Sequence, residues 1–341
     1  MAAGSLISII SATAAYAAVP ASDPVVPPAV QSEANAIAME VETVLPAELR
    51  GDDVNASKSS GVFKTFGNTA VTIPSTASQK VVATKAGVTV GVGTGTTTAT
   101  TGVLAEQGSV VYNATGSVDR SVQATDDGFR IHTVIRSAAA PTEYTHAVTL
   151  PSGTHLAMAS SLPTDAEDPG RATGTADGVL IVRDADNALV AGFSSPWARD
   201  AHGVAVATRF EVRNGALVQI VDHATTSGVV YPVVADPYLG FSLIKSYTWA
   251  YTTGSGYTLR AYPTAWARAH AGSYYVGTLG FKELQSKTGG SLNTNVGGMR
   301  DQYICHQQWV AIWEPSKASW NLDEWRPDVS YYSTVRARCN P

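Results

Sequence analysis

Residues 204–222 read VAVATRFEVRNGALVQIVD. Val204, Val206, Thr208, Phe210 and Val212 alternate with Ala205, Ala207, Arg209, Glu211 and Arg213, the period-two pattern of a strand with one face in a core. Asn214-Gly215 supplies the two positive φ values of a type I′ turn, and the chain returns along Ala216–Asp222. The hairpin so defined sets Val212 opposite Leu217 and Glu211 opposite Val218.

Working outward, the same pattern recurs from about Val62 to Pro237, in short apolar and Thr-rich runs broken by Gly, Asp, Asn and Pro. In Phe129–Arg136 the residues Phe129, Ile131, Thr133 and Ile135 share one face, with Arg130, His132, Val134 and Arg136 on the other. Further strands are predicted near Ser109–Ala114, Glu143–Leu150, Thr154–Ala159, Val179–Asp184 and Gly228–Val234. Many short antiparallel strands at this spacing predict a β-sandwich over residues 61–237, with a barrel as the alternative. The low-complexity tract VTVGVGTGTTTATTG (Val88–Gly102) is strand-compatible and is expected as an edge or a surface loop.

Upstream, Leu6–Ala18 is an apolar run with an A-x-A pattern at Ala15-Tyr16-Ala17, the form of a signal peptide spanning residues 1–18 and too short for a membrane span. The first basic residue is Arg50, so the charged front of such a leader is expected upstream of Met1. Residues 19–60 are rich in Ala, Pro, Ser and acid and read as a linker or pro-segment, with a short helix at about Glu33–Val44 ended by Pro46. The mature chain is expected to be secreted, with no transmembrane segment.

Downstream the composition shifts, since residues 238–341 hold six of the seven tryptophans and ten of the fourteen tyrosines. That shift places a boundary near Asp236-Pro237, followed by a small α+β domain. A hairpin is predicted over Tyr247–Tyr262 around Gly254-Ser255-Gly256, and a helical turn at Gly280–Lys287. Met299–Trp313 reads as a helix, with Gly297-Gly298 as the break before it and Pro315 as its stop. Met299, Gln302, His306, Trp309 and Trp313 form one stripe of it, and Asp301, Cys305, Gln308 and Ile312 a neighbouring one. Cys305 and Cys339 are the two cysteines of the chain. The economical reading is a disulfide between them, closing a loop of roughly 35 residues and stabilising the fold by about 3–4 kcal/mol in the chain-entropy model. The fold class is therefore mainly β: an antiparallel β-sandwich followed by a disulfide-stapled α+β domain.

The ending CHQQW…WNLDEWRPD…CNP, preceded by TLRAYPTAWAR and GFKEL, resembles the C-terminal domain-of-unknown-function 2599 family of exported actinobacterial proteins. SPWARDAHGVAVATRFEVRNGALVQIVDH…YPVVADP is similar to an all-β module that precedes varied C-terminal domains in such proteins. The resemblance implies export and a Cys-paired C-terminal domain, and it assigns no catalytic residues.

Charge narrows the partners. Residues 238–341 carry ten Lys/Arg against six Asp/Glu, net +4, while residues 1–237 carry net −9 within a total of −5. An excess of this size falls short of the clustered Lys/Arg of a nucleic-acid binder and reads first as a solvated surface, with a cell-envelope glycan or anionic polymer as the partner it would suit. His306, with Asp301 and Gln302 before it and Trp309 on its stripe, has the form of a general base or ligand-orienting donor, or of a buried structural histidine. Trp320, Trp325 and Arg326 lie in a loop where Pro327 keeps Arg326 out of helical geometry, free to pair with Asp323, Asp328 or an external anion. Asp200 with His202, and Asp222 with His223, carry no recognisable metal or triad spacing and read as turn and surface groups. No metal or nucleotide cofactor is expected. The favoured function is a non-enzymatic exported binding or surface protein using Asp301, His306, Trp309, Trp320, Trp325 and Arg326. The alternative is a secreted hydrolase or toxin-like effector centred on His306 with Asp301 and Arg326.

Overall fold

The computed structural model describes residues 26–59, 61–65, 68–114 and 116–341; the leader expected at Leu6–Ala18 lies outside them. Two antiparallel sheets face each other. One runs Thr154–Met158, Val179–Arg183, Leu189–Phe193, Tyr238–Gly240, Gly128–Ile135, Val118–Thr125, Val110–Tyr112, Val103–Leu104, with three short strands added beside this path. The other runs Thr208–Arg213, Ala216–Val221, Glu143–Thr149, Val88–Gly93, Lys80–Lys85, Ala70–Pro74, Val62–Lys64, Ser57–Ser59. Their inner faces meet in one apolar core, Phe63, Val81, Val92 and Phe210 from one sheet against Val122, Phe129, Ile131 and Phe193 from the other. This is the β-sandwich that the alternation predicts.

The hairpin forms with the register read from sequence: Val212 opposes Leu217 and Glu211 opposes Val218, with Asn214 and Gly215 at φ 51° and 73°. Its first strand starts at Thr208 rather than Val204, because Asp200 accepts from the backbone N–H groups of His202 and Val204 and holds that stretch in a turn. Val88–Gly93 is an interior strand between Lys80–Lys85 and Glu143–Thr149, and only the Thr-rich remainder of its tract is loop.

Residues 28–59 are integral to the fold where the composition suggests a linker. Helix α1 (Pro28–Val44) begins with Pro28 in its first turn and buries Ala34, Ile37, Ala38, Val41 and Val44, a three- and four-residue spacing that makes one apolar stripe. The stripe packs on Val111, Val134 and Val234, on the outer face of the larger sheet. Beyond it, Arg130 is fully buried, donates to Asp53 Oδ1 at 2.6 Å and to the Leu49 carbonyl, and lies 4.8 Å over the Tyr238 ring. Asp53–Val54 then joins the larger sheet and Ser57–Ser59 the smaller.

The C-terminal part has a three-stranded sheet, Ile244–Thr252, Gly256–Pro263 and Trp320–Asp323, and five helices: α2 (Ala265–Arg268), α3 (Tyr274–Lys287), α4 (Val296–Cys305), α5 (Ala311–Trp313) and α6 (Tyr331–Arg336). None of its strands extends the sandwich sheets. It is nonetheless seated on the sandwich through a shared core, in which Trp266, Val276 and Leu279 pack with Leu180, Val182 and Tyr238. The Trp266 ring lies on the bare backbone of Gly240, where a Cβ would overlap its Cγ.

Two helices differ from expectation for one reason. α3 starts at Tyr274, capped by the Ser273 side chain, six residues before the expected turn; α4 starts at Val296, capped by Asn295, so Gly297 and Gly298 are helical. These glycines mark close approach rather than a break. A Cβ on Gly280 would collide with the Tyr303 hydroxyl, and one on Gly297 with the Asp328 carboxylate. Cys305 and Cys339 are joined, with their Cα atoms 5.5 Å apart, and both are fully buried.

Candidate functional site

Between α4 and α5 the chain makes a π-helical segment, His306–Val310. The wider turn points three successive side chains inward, each to a different part of the chain. His306 Nδ1 donates to the Gln302 carbonyl at 2.7 Å, Gln307 Nε2 to Ala267 O at 2.9 Å, and Gln308 Nε2 to Gly170 O at 2.7 Å while its Oε1 accepts from Tyr331 Oη. One turn earlier, Gln302 pairs with the backbone of Asp323 through both ends of its amide, at 3.1 and 2.8 Å. This helix is a hub of structural hydrogen bonds.

His306 is 2% exposed and stacks on Trp320, ring centres 6.3 Å apart. Burial drives its pKa down to about 4, against the opposing pull of the Gln302 carbonyl, so the imidazole is neutral at physiological pH. Trp320 is itself wholly buried. Asp301 is bound to Arg300 Nη1 at 2.9 Å, and its pKa is raised to about 6 by burial first and then by the charge of Glu167. Arg326 donates from Nε to Asp323 Oδ2 at 2.6 Å and from Nη1 to the Pro341 carbonyl at 3.1 Å. No hydrogen bond or ion pair joins His306 to Asp301 or to Arg326. Of the six residues singled out from sequence, the structure pairs His306 with Trp320 and Arg326 with Trp325, and sets Asp301 and Trp309 apart. Trp309 is half-buried, 5.8 Å from Trp313.

In the sandwich, Asp200 is a turn cap, as above. His223 is buried between Tyr231 Oη and the Pro141 carbonyl, both at 3.0 Å. Among the described residues no group of three or more His, Cys, Asp or Glu side chains could hold a metal ion. A cleft of about 1060 Å³ separates α3 from the turn after Val179–Arg183. Of its charges, Arg183 pairs with Asp186 at 2.8 Å, Arg300 with Asp165, and Glu283 accepts from the backbone N–H groups of Leu243 and Ile244.

Exposed aromatic rings gather instead at the tip of the C-terminal hairpin. Tyr251 and Tyr257 are cross-strand partners, 63% and 50% exposed, with ring centres 4.9 Å apart. Trp249 meets Tyr257 edge-on at 6.3 Å and anchors the pair to the core. Alternation of faces puts Gly256 on the opposite side of the strand from Tyr257. There Trp325, 43% exposed, lies over Gly256, with the Arg326 guanidinium 4.5 Å above its ring. Tyr251 and Tyr257 are absent from the sequence-derived set, although their matched positions about Gly254-Ser255-Gly256 carry the signal.

Residues 244–341 match the model of a family described as Protein of unknown function (DUF2599), the family that the C-terminal sequence resembles. Uncharacterized proteins of Mycobacterium bovis and of Mycobacterium tuberculosis strains CDC 1551 and H37Rv are each 45% identical over 51 residues, which is 15% of this chain and 34% of theirs. The chain thus spans about a third of the length of the curated relatives it matches. No solved structure matches it significantly.

Proposed function

We propose that the chain is an exported, non-enzymatic binding protein whose sandwich presents the C-terminal hairpin tip to cell-envelope glycan. The observation that carries this reading is the pair of solvent-exposed rings Tyr251 and Tyr257, packed on each other across the hairpin tip and anchored to the core by Trp249, with Trp325 exposed on the other face of the strand. Exposed rings on a rigid support stack on the C–H faces of sugars at little ordering cost. Export is supported by the disulfide, a bond that persists in oxidising compartments. The hydrolase alternative draws no support from the geometry, because His306, Asp301 and Arg326 are each committed to another partner.

Sedimentation with insoluble envelope glycan tests the reading. Tyr251→Ala combined with Tyr257→Ala is expected to weaken binding about tenfold, at roughly 0.5–1.5 kcal/mol per ring, with the circular dichroism spectrum unchanged. Equal binding by wild type and double variant would refute it. Mass spectrometry of culture supernatant tests export: the mature N-terminus is expected near Val19, with the Cys305 and Cys339 peptides linked.

A further inference from the structure

The low-complexity tract leaves the smaller sheet after Val88–Gly93, and its residues Thr96, Thr98 and Thr100 wall one side of a pocket of about 290 Å³. Thr98, Gly116 and Glu143 on its rim are exposed, whereas Tyr112, Arg120 and Tyr144 beneath them are buried. The pocket therefore has an open mouth and a buried cationic floor.

Arg120 is 5% exposed and has no carboxylate partner among the described residues. Its Nε donates to Thr94 O at 2.7 Å, Nη1 to Asp119 O at 3.1 Å and Nη2 to Gly95 O at 3.2 Å. Three of the five N–H groups of a guanidinium are thereby used. The nearby acids are turned elsewhere. Asp119 accepts from Arg136 Nε at 2.6 Å and from Ala114 N at 3.1 Å, and Glu143 is held by Arg213 at 2.8 and 3.3 Å. His146 beside it is buried and donates Nδ1 to the Gly93 carbonyl at 2.9 Å, so it brings no compensating charge. A guanidinium keeps its proton at physiological pH, and a buried charge is costly unless it is paired. One face of the guanidinium lies 5.3 Å over the Tyr144 ring, and two N–H donors of a cation with no carboxylate ion pair remain at the bottom of an open pocket.

The geometry points to a binding site for a small carboxylated sugar, its carboxylate on the Arg120 guanidinium and its ring between the threonine wall and the two tyrosines. A guanidinium fork matches a carboxylate in plane and spacing. Tyr112 Oη is tied to the Pro74 carbonyl at 2.5 Å and Tyr144 Oη to the Pro141 carbonyl, so both present ring carbon to an occupant. The volume stands at the small end of ligand pockets, which run from about 300 to 1,000 Å³, as suits a single ring.

Isothermal titration of the full chain with glucuronate, glucose and inorganic phosphate tests the site. Glucuronate is expected to bind saturably, with glucose at least tenfold weaker for want of the charge. Gly116 sits on the rim, and a Cβ added there would have nothing within 4 Å of it, so Gly116→Trp should close the mouth without disturbing the floor and abolish binding. Arg120→Lys, which keeps the charge and loses the fork, should weaken glucuronate by tenfold or more. Gly116→Trp keeps the test decisive if the Arg120 variant fails to fold. Absence of saturable glucuronate binding, binding unchanged by Gly116→Trp, or phosphate bound more tightly than glucuronate would each overturn the assignment.

Discussion

His306 shows how a residue that looks catalytic in sequence serves the core. Its Nδ1–H satisfies the Gln302 carbonyl, and its ring fills the space over Trp320. Replacement by Ala removes both at once, leaving a cavity and a Gln302 carbonyl with only the backbone N–H of residue 306 as donor. His306→Ala is therefore expected to cost about 2–4 kcal/mol of stability, read as a lower thermal midpoint. Tryptophan emission of the wild type should stay flat from pH 8 to pH 5 and change only towards pH 4, where this imidazole takes up its proton; a transition near pH 6.5 would show that the ring is solvated. The sequence stripe that groups His306 with Trp309 and Trp313 is sound as helical geometry. What it does not carry is that the face opposite is buried as well, because α4 is enclosed by α3, α6 and the strand Trp320–Asp323, and enclosure depends on chain segments far apart in sequence. Arg326 is easier to read: Pro327 restricts its backbone, and Asp323, three residues earlier, is among its expected partners and is the one found.

At the scale of elements, alternation makes the sandwich legible down to hairpin register, since a strand with one buried face writes its pairing into every second residue. Helix boundaries are less legible, because glycine has two uses that look alike in sequence. Gly280 and Gly297 serve close packing inside helices, so Gly280→Ala should destabilise the protein although Ala is the better helix former by about 1 kcal/mol. The gain is outweighed by the displacement of Tyr303 that a methyl group would force, and overpacking of this kind costs about 1–3 kcal/mol. A higher thermal midpoint for Gly280→Ala would contradict the packing argument. Helix α1 is legible as the short helix expected at about Glu33–Val44, but its place in the core is hidden by composition: the Pro, Ala and acid of residues 19–60 suggest a linker, while Ile37, Val41 and Val44 write an apolar stripe through it. Deleting residues 1–46 should expose Val111, Val134 and Val234. The truncated chain is expected to bind a hydrophobic dye and to lose cooperative melting; an unchanged melting curve would mark the segment as dispensable.

Across the whole molecule, folding encloses titratable groups that composition alone does not reveal. His132, His146, His270 and His306 are all buried, and desolvation lowers their pKa values to about 3, 4, 3 and 4. Each is neutral in the native state and protonated in the unfolded chain below about pH 6.5. Stability from these groups is thus complete above that value and is lost as pH falls from about 6.5 towards 4, by up to about tenfold in the folding equilibrium per pH unit and per group. Asp236 acts in the opposite sense. It is wholly enclosed, accepts at Oδ1 from Trp197 N at 3.0 Å and from Gln219 Nε2 at 3.3 Å, and burial raises its pKa to about 8. The native state holds that proton where the unfolded chain has released it, so stability declines as pH rises from about 4 to 8 and then levels. Asp301, raised to about 6, adds a smaller term of the same sign that is spent by pH 6. Below pH 6 the four histidines act against Asp236 and Asp301, with Glu42 and Glu283, whose carboxyl pKa values burial also raises, adding small contributions on the side of the acids, and above pH 6.5 Asp236 acts without opposition from the histidines. Equilibrium unfolding in urea across pH 4–9 should therefore show maximal stability near pH 6–7, a steep fall on the acid side and a shallow fall up to about pH 8. Asp236→Asn, which keeps the shape and removes the titration, should flatten the alkaline limb and leave the acid limb in place. An alkaline limb that persists unchanged in that variant would show that Asp236 is already ionised in the native protein.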